Sequence, residues 1–104
     1  MILVLGQVKI QAAKLAAALE LSQAHVLRSR AEPGCLAHGV HVSHDEPDTL
    51  VFVERWRDMG ALMAHFQVPE SRHFVKALSA LAESAPVMEI FDASPVPLPG
   101  RSAS

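Results

Sequence analysis

Thiol chemistry is nearly absent from this chain: one cysteine, Cys35, stands among 104 residues. A lone cysteine excludes an internal disulfide and any zinc or iron–sulfur centre built from several thiolates. Charge of one sign is also scarce. Nine Lys and Arg face eleven Asp and Glu, for a formal net charge of −2, and the basic residues are scattered. Phosphate-backbone binding needs clustered cations, so no nucleic-acid partner is expected. No apolar run approaches the roughly 20 residues of a membrane span. Residues 1–6 are apolar but too short for a signal peptide, and they lack its positive leading region. A cytoplasmic protein with no membrane partner is the expectation. Phosphate-cradling G-x-G-x-x-G and G-K-[ST] segments are missing, as is the G-x-S-x-G elbow of a serine hydrolase. Aromatics make up only 5% of the chain against 50% hydrophobic residues, so the core must be aliphatic and rich in alanine. At this length one domain is expected, burying only about 60–70% of its unfolded surface.

What is present reads as alternating strands and helices. Residues 2–10 form an apolar strand. Residues 11–30 are good helix formers, with Ala12, Leu15, Ala16, Leu19 and Val26 at helical spacing on one face. Pro33-Gly34 ends that helix. Residues 35–43 alternate: Leu36, His38, Val40 and Val42 point one way, and Cys35, Ala37, Gly39 and His41 the other. The acidic D-E-P-D run at 45–48 is turn chemistry, and residues 50–56 return as the second strand of an antiparallel hairpin. Asp58 is placed to cap a helix over 59–67. Pro69 interrupts it, and a second helical piece over 70–84 carries Phe74, Leu78 and Leu81 on one side. Residues 86–91 form a last strand. Residues 94–104, with three prolines, read as a loose tail after a domain over 1–93. The order is the split βαβ pattern of α+β ferredoxin-like domains, an antiparallel sheet with helices on one face. The other face is then apolar and uncovered, so a homodimer is expected.

Six histidines raise the question of a metal. No two share one strand face as H-x-H, and no two share one helix as H-x-x-x-H, so no metal site is expected. Cys35 reads as a small core residue at a strand start. Glu54, inside a strand, reads as tied to a neighbouring Arg or backbone group. His41 and Trp56 stand out, because an indole can wall a flat aromatic ligand and a histidine titrates near neutrality.

Three stretches, E-P-G-C-L-A-H-G-V-H, D-E-P-D-T-L-V-F-V-E-R-W-R-D and A-L-M-A-H-F-Q-V-P, resemble the antibiotic biosynthesis monooxygenase domain family. This family includes quinol monooxygenases and anthrone-oxidising tailoring enzymes. The resemblance implies a dimeric α+β barrel whose pockets, as in some members, oxidise small phenols or quinols with O₂ and no cofactor. The alternatives are a non-catalytic aromatic-metabolite-binding or stress-response dimer and, from a further branch that shares the His65 element, an isomerase of a small signalling metabolite. Transferred by position, His41 falls at the strand histidine of the anthrone-oxidising members and Trp56 at their pocket tryptophan. Phe52 and Leu62 replace their asparagine and helix tyrosine. His65 matches a helix histidine of the quinol-oxidising branch, which therefore fits better. The haem-degrading branch uses a first-strand asparagine, a helix tryptophan and an iron-binding helix histidine; this chain holds Gln7, His65 and Val75 in those slots, so the axial ligand is absent. The resemblance thus implies catalytic residues His41 and Trp56, and a substrate pocket of Gln7, His38, Phe52, His65 and Phe66.

Overall fold

Along Ile2–Lys9 (β1) the even-numbered residues are buried and the odd-numbered ones half-buried or exposed, the period-2 signature of a strand with one covered face. Residues 1–100 are described by the computed structural model of the chain. After β1 a 3-10 turn (Ala12–Lys14) leads into α1 (Leu15–Ser29). The hairpin strands are β2 (Cys35–Val42) and β3 (Thr49–Trp56). They are followed by α2 (Met59–Gln67), α3 (Pro69–Leu81) and β4 (Val87–Asp92). The sheet is antiparallel throughout, in the order β2-β3-β1-β4. This is the expected α+β ferredoxin-like arrangement.

The covered face holds two apolar clusters. Val8, Ile10, Leu50 and Phe52 of the sheet pack with Ala18 of α1 and with Phe74 and Leu78 of α3. Ile2, Val4 and Trp56 pack with Ala61 and Leu62 of α2. Fully burying each large side chain contributes about 1.5–3 kcal/mol. On the opposite face Leu5, Val87 and Phe91 are exposed and Leu3, Val51 and Val53 half-buried. The region between the clusters is polar, and Glu54 occupies it between Phe52 and Trp56 on β3.

Local chemistry explains the joints. Asp58 caps α2 as expected, its Oδ1 accepting the Ala61 N–H at 2.8 Å. Gly34 takes φ +83°, and a Cβ there would lie 2.6 Å from Ala61 Cβ, so the Pro33-Gly34 turn fits only glycine. Pro69 was expected only to interrupt a helix. Instead it starts α3 at its first turn, where a missing N–H costs nothing, while extended Val68 separates the two helices. The α1 face also differs from expectation. Ala12 and Ala16 are exposed, and the buried stripe is Ala18, Ser22, His25, Val26 and Ser29. Small and polar side chains therefore face the sheet. Finally, a bulge between Cys35 and Ala37 pairs Cys35 with Trp56 and pushes Leu36 outward, to 54% exposure. Residues 94–100 carry no helix or strand; the rest of the expected tail, residues 101–104, lies outside the described residues.

Candidate functional site

Three elements converge on the polar gap in the core. His25 comes from the inner stripe of α1, His38 from β2 and His65 from the last turn of α2. All three are buried. One ring nitrogen from each can be chosen so that all three lie within 4.8 Å of one another. The spacing argument weighed only pairs within one strand or helix, whereas this gathering is made by tertiary packing.

Each ring is held by a different partner. His65 Nδ1 lies 2.9 Å from Glu32 Oε1. A carboxylate only accepts, so Nδ1 carries the hydrogen, and in the neutral ring Nε2 then keeps its lone pair. His25 Nδ1 lies 2.7 Å from Arg28 Nη2, which also donates to Ser71 Oγ at 2.9 Å. A guanidinium only donates, so Nδ1 of His25 accepts and Nε2 carries the hydrogen. His25 also stacks on Phe74, ring centroids 3.9 Å apart and planes 6° from parallel. His38 Nε2 stands 3.3 Å from Glu54 Oε1. That is an electrostatic approach rather than an aligned hydrogen bond, and neither nitrogen of His38 has a hydrogen-bond partner among the described residues. Glu54 Oε1 accepts the Trp56 indole N–H at 2.9 Å.

The electrostatics follow from this burial. Burial first, then the charges of His38, Arg28 and His65, push the His25 imidazole down to about 3, so it is neutral at neutral pH. Burial alone would raise the Glu54 carboxyl. His38, the indole N–H and His65 together outweigh it and hold that carboxyl below its ordinary value. Glu54 is thus tied to Trp56 and His38, not to an arginine or backbone group as the sequence suggested. Burial, followed by Glu54 and Glu32, raises the Cys35 thiol, so it is a poor nucleophile.

A cavity of about 350 Å³ opens in front of this group, between β1, β4 and α3. Buried His25, His65 and Glu54 line it together with Phe52, Phe66, Phe74 and Leu78. Gly6 lies on its floor, where a Cβ would make ordinary contact with Phe52 at 3.4 Å.

Of the residues singled out from sequence, Gln7, Phe52, His65 and Phe66 line this cavity. Trp56 does not; it is fully buried behind it, its ring 4.6 Å from His65. His38 lies beside His65, centroids 5.6 Å apart. His41 is placed elsewhere. It pairs with Val51 rather than Glu54, and strand alternation turns it to the opposite sheet face, exposed. The structure therefore does not bring His41 to Trp56. Sequence reasoning missed His25, Glu32, Ser71 and Phe74. The readable signal was the stripe Ala18, Ser22, His25, Ser29, a helical face too polar for a plain core.

Comparisons with known proteins agree with this architecture. The family model described as antibiotic biosynthesis monooxygenase matches residues 1–77. A crystal structure named as an antibiotic biosynthesis monooxygenase is 29% identical with a TM-score of 0.85, over 91% of this chain and 100% of that one. A protein from Shewanella oneidensis is 25% identical with a TM-score of 0.82, over 86% of this chain and 87% of its own. An uncharacterized protein of Synechocystis sp. is 36% identical over 87 residues, 83% of this chain. The chain spans only 59% of that relative's length. With three quarters of its length matched by the family model, the chain belongs to the antibiotic biosynthesis monooxygenase family.

Proposed function

We propose that the cavity binds a small quinol or phenol and oxidises it with O₂, using the chain's own side chains and no cofactor. The observation that carries this reading is an apolar cavity of about 350 Å³ lined by a carboxylate-held imidazole, His65 on Glu32. That volume is at the small end of ligand pockets, which begin near 300 Å³. Glu32 orients His65 and leaves Nε2 as the proton acceptor. Neutral His25 presents its Nε2–H to the phenolate that forms. The aromatic walls exclude water and keep the reacting pair together. An electron-rich anion can pass one electron to triplet O₂, and the two radicals then combine. Overall, quinol and O₂ give a hydroxylated quinone and water, with one oxygen atom in the ring and the other in water.

The test is O₂ uptake by the chelator-treated protein with hydroquinone, with the products analysed. Uptake without accumulated peroxide, lost in His65→Leu, supports the reading. If a broad quinol and phenol panel binds but consumes no O₂, the cavity is a binding module for aromatic metabolites instead. We further propose a homodimer that covers the sheet face carrying Leu5, Val87 and Phe91, all exposed in the single chain. A monomeric mass in sedimentation would exclude that pairing.

A further inference from the structure

We infer that His25, His38 and His65 form a binding site for one borderline divalent cation of the zinc type. The observations are geometric. Donor atoms from three buried imidazoles lie within 4.8 Å of one another. A tetrahedral zinc with Zn–N of about 2.05 Å places its ligand nitrogens about 3.3 Å apart. From a separation of up to 4.8 Å the trio closes by up to about 1.5 Å to reach that spacing. His38 is the second, independent sign. It is 3% exposed, and neither of its nitrogens has a hydrogen-bond partner among the described residues. A buried polar group left unpaired costs about 1–3 kcal/mol, which a bound ligand removes.

The surroundings have the form of a metal site's outer shell. Ligating histidines usually donate their second nitrogen to a carboxylate. Glu32 holds His65 in this way at 2.9 Å, and Glu54 stands 3.3 Å from His38. Those two carboxylates offset the charge of an entering cation in a low-dielectric setting. His25 is the conditional ligand, because Arg28 occupies its Nδ1. To bind metal through Nε2, its hydrogen must move to Nδ1 and Arg28 must release the ring. The alternative partner for Arg28 is already in place, since Ser71 Oγ accepts from it at 2.9 Å. Three imidazoles and no thiolate suit zinc, cobalt, nickel or copper rather than magnesium or calcium.

This goes beyond the oxidation reading, which concerns the metal-free protein: with Nδ1 of His65 on Glu32, a cation takes the Nε2 lone pair that serves there as the proton acceptor. The probe is Co²⁺, titrated into the full chain after chelator treatment and followed by its visible ligand-field band and by calorimetry, with Zn²⁺ as competitor. We expect one equivalent per chain, an intense tetrahedral-type band, and displacement by zinc. His38→Phe should weaken binding at least about 100-fold. The surface variant His41→Gln/His44→Gln/His73→Gln should bind as the parent does. Arg28→Gln, which removes the competing cation, should tighten binding about tenfold. It also keeps the inference testable if His38→Phe fails to fold. Absence of the band, retention of binding in His38→Phe, loss of binding in the surface variant, or unchanged affinity in Arg28→Gln would each overturn the three-histidine site. Because O₂ uptake is not the readout, this outcome is separable from that of the proposed oxidation.

Discussion

Six histidines in this chain divide into two sets of three. His25, His38 and His65 are buried and gathered from α1, β2 and α2; Arg28 and Glu32 hydrogen-bond His25 and His65, and Glu54 stands 3.3 Å from His38. His41, His44 and His73 are exposed, on β2, in the hairpin turn and on α3. The residue type is the same and only the setting differs. In water an imidazole is hydrated at both ring nitrogens. In the gap between the apolar clusters, its tautomer is set by its neighbours: Arg28 makes His25 a donor through Nε2, and Glu32 makes His65 an acceptor there. One chain thus holds both kinds of imidazole chemistry side by side.

The contrast can be broken experimentally. Removing the acceptor should have the largest effect. His65→Leu should lower the quinol-dependent kcat by about 10²–10⁴, as expected for loss of a general base. His41→Ala should leave it unchanged, and a loss there instead would invert the assignment. Next is Gly6→Val, which projects a side chain into the cavity floor beside Phe52. It should lower substrate binding at least about tenfold (about 1.4 kcal/mol) with a folded circular dichroism spectrum.

The third prediction concerns acid. In metal-free protein His25 has a folded value of about 3 against an ordinary 6.5. The unfolded chain therefore takes up a proton that the folded chain refuses. Stability is highest above pH 6.5 and falls as pH drops toward 3. The Glu54 contribution is also lost on acidification, because its folded value is depressed. Urea midpoints measured across that window should fall, and less steeply in His25→Phe. Variants of the exposed set should move nothing: His41→Ala, His44→Ala and His73→Ala should each stay within about 0.5 kcal/mol of the parent in the same assay.

The architecture was legible in the sequence because its signals are local. Alternation marked the hairpin, Asp58 marked a helix start, and Pro33-Gly34 marked a turn. The site was only half legible. Phe52, His65 and Phe66 were found on the elements that carry them. His25 was missed because its helix face was judged by its alanines and leucines, whereas the face turned inward is the one with serines. The placement of His41 was correctable from sequence, since strand parity already sets it opposite His38. What parity cannot supply is the partner across the sheet, and that partner, Glu54 for His38 and Val51 for His41, decides which histidine enters the polar gap.

The bulge at the start of β2 bears on how this arrangement tolerates change. Leu36 is the extra residue, looped out to solvent while Cys35 stays opposite Trp56 and His38 opposite Glu54. The strand therefore contains an expansion joint. A one-residue change in the length of the preceding turn can be taken up there, before it reaches the ladder. Deleting Leu36 should close the joint and leave the downstream phase intact. Deleting Gly39 instead falls inside the regular ladder, where no extra residue is available to absorb it.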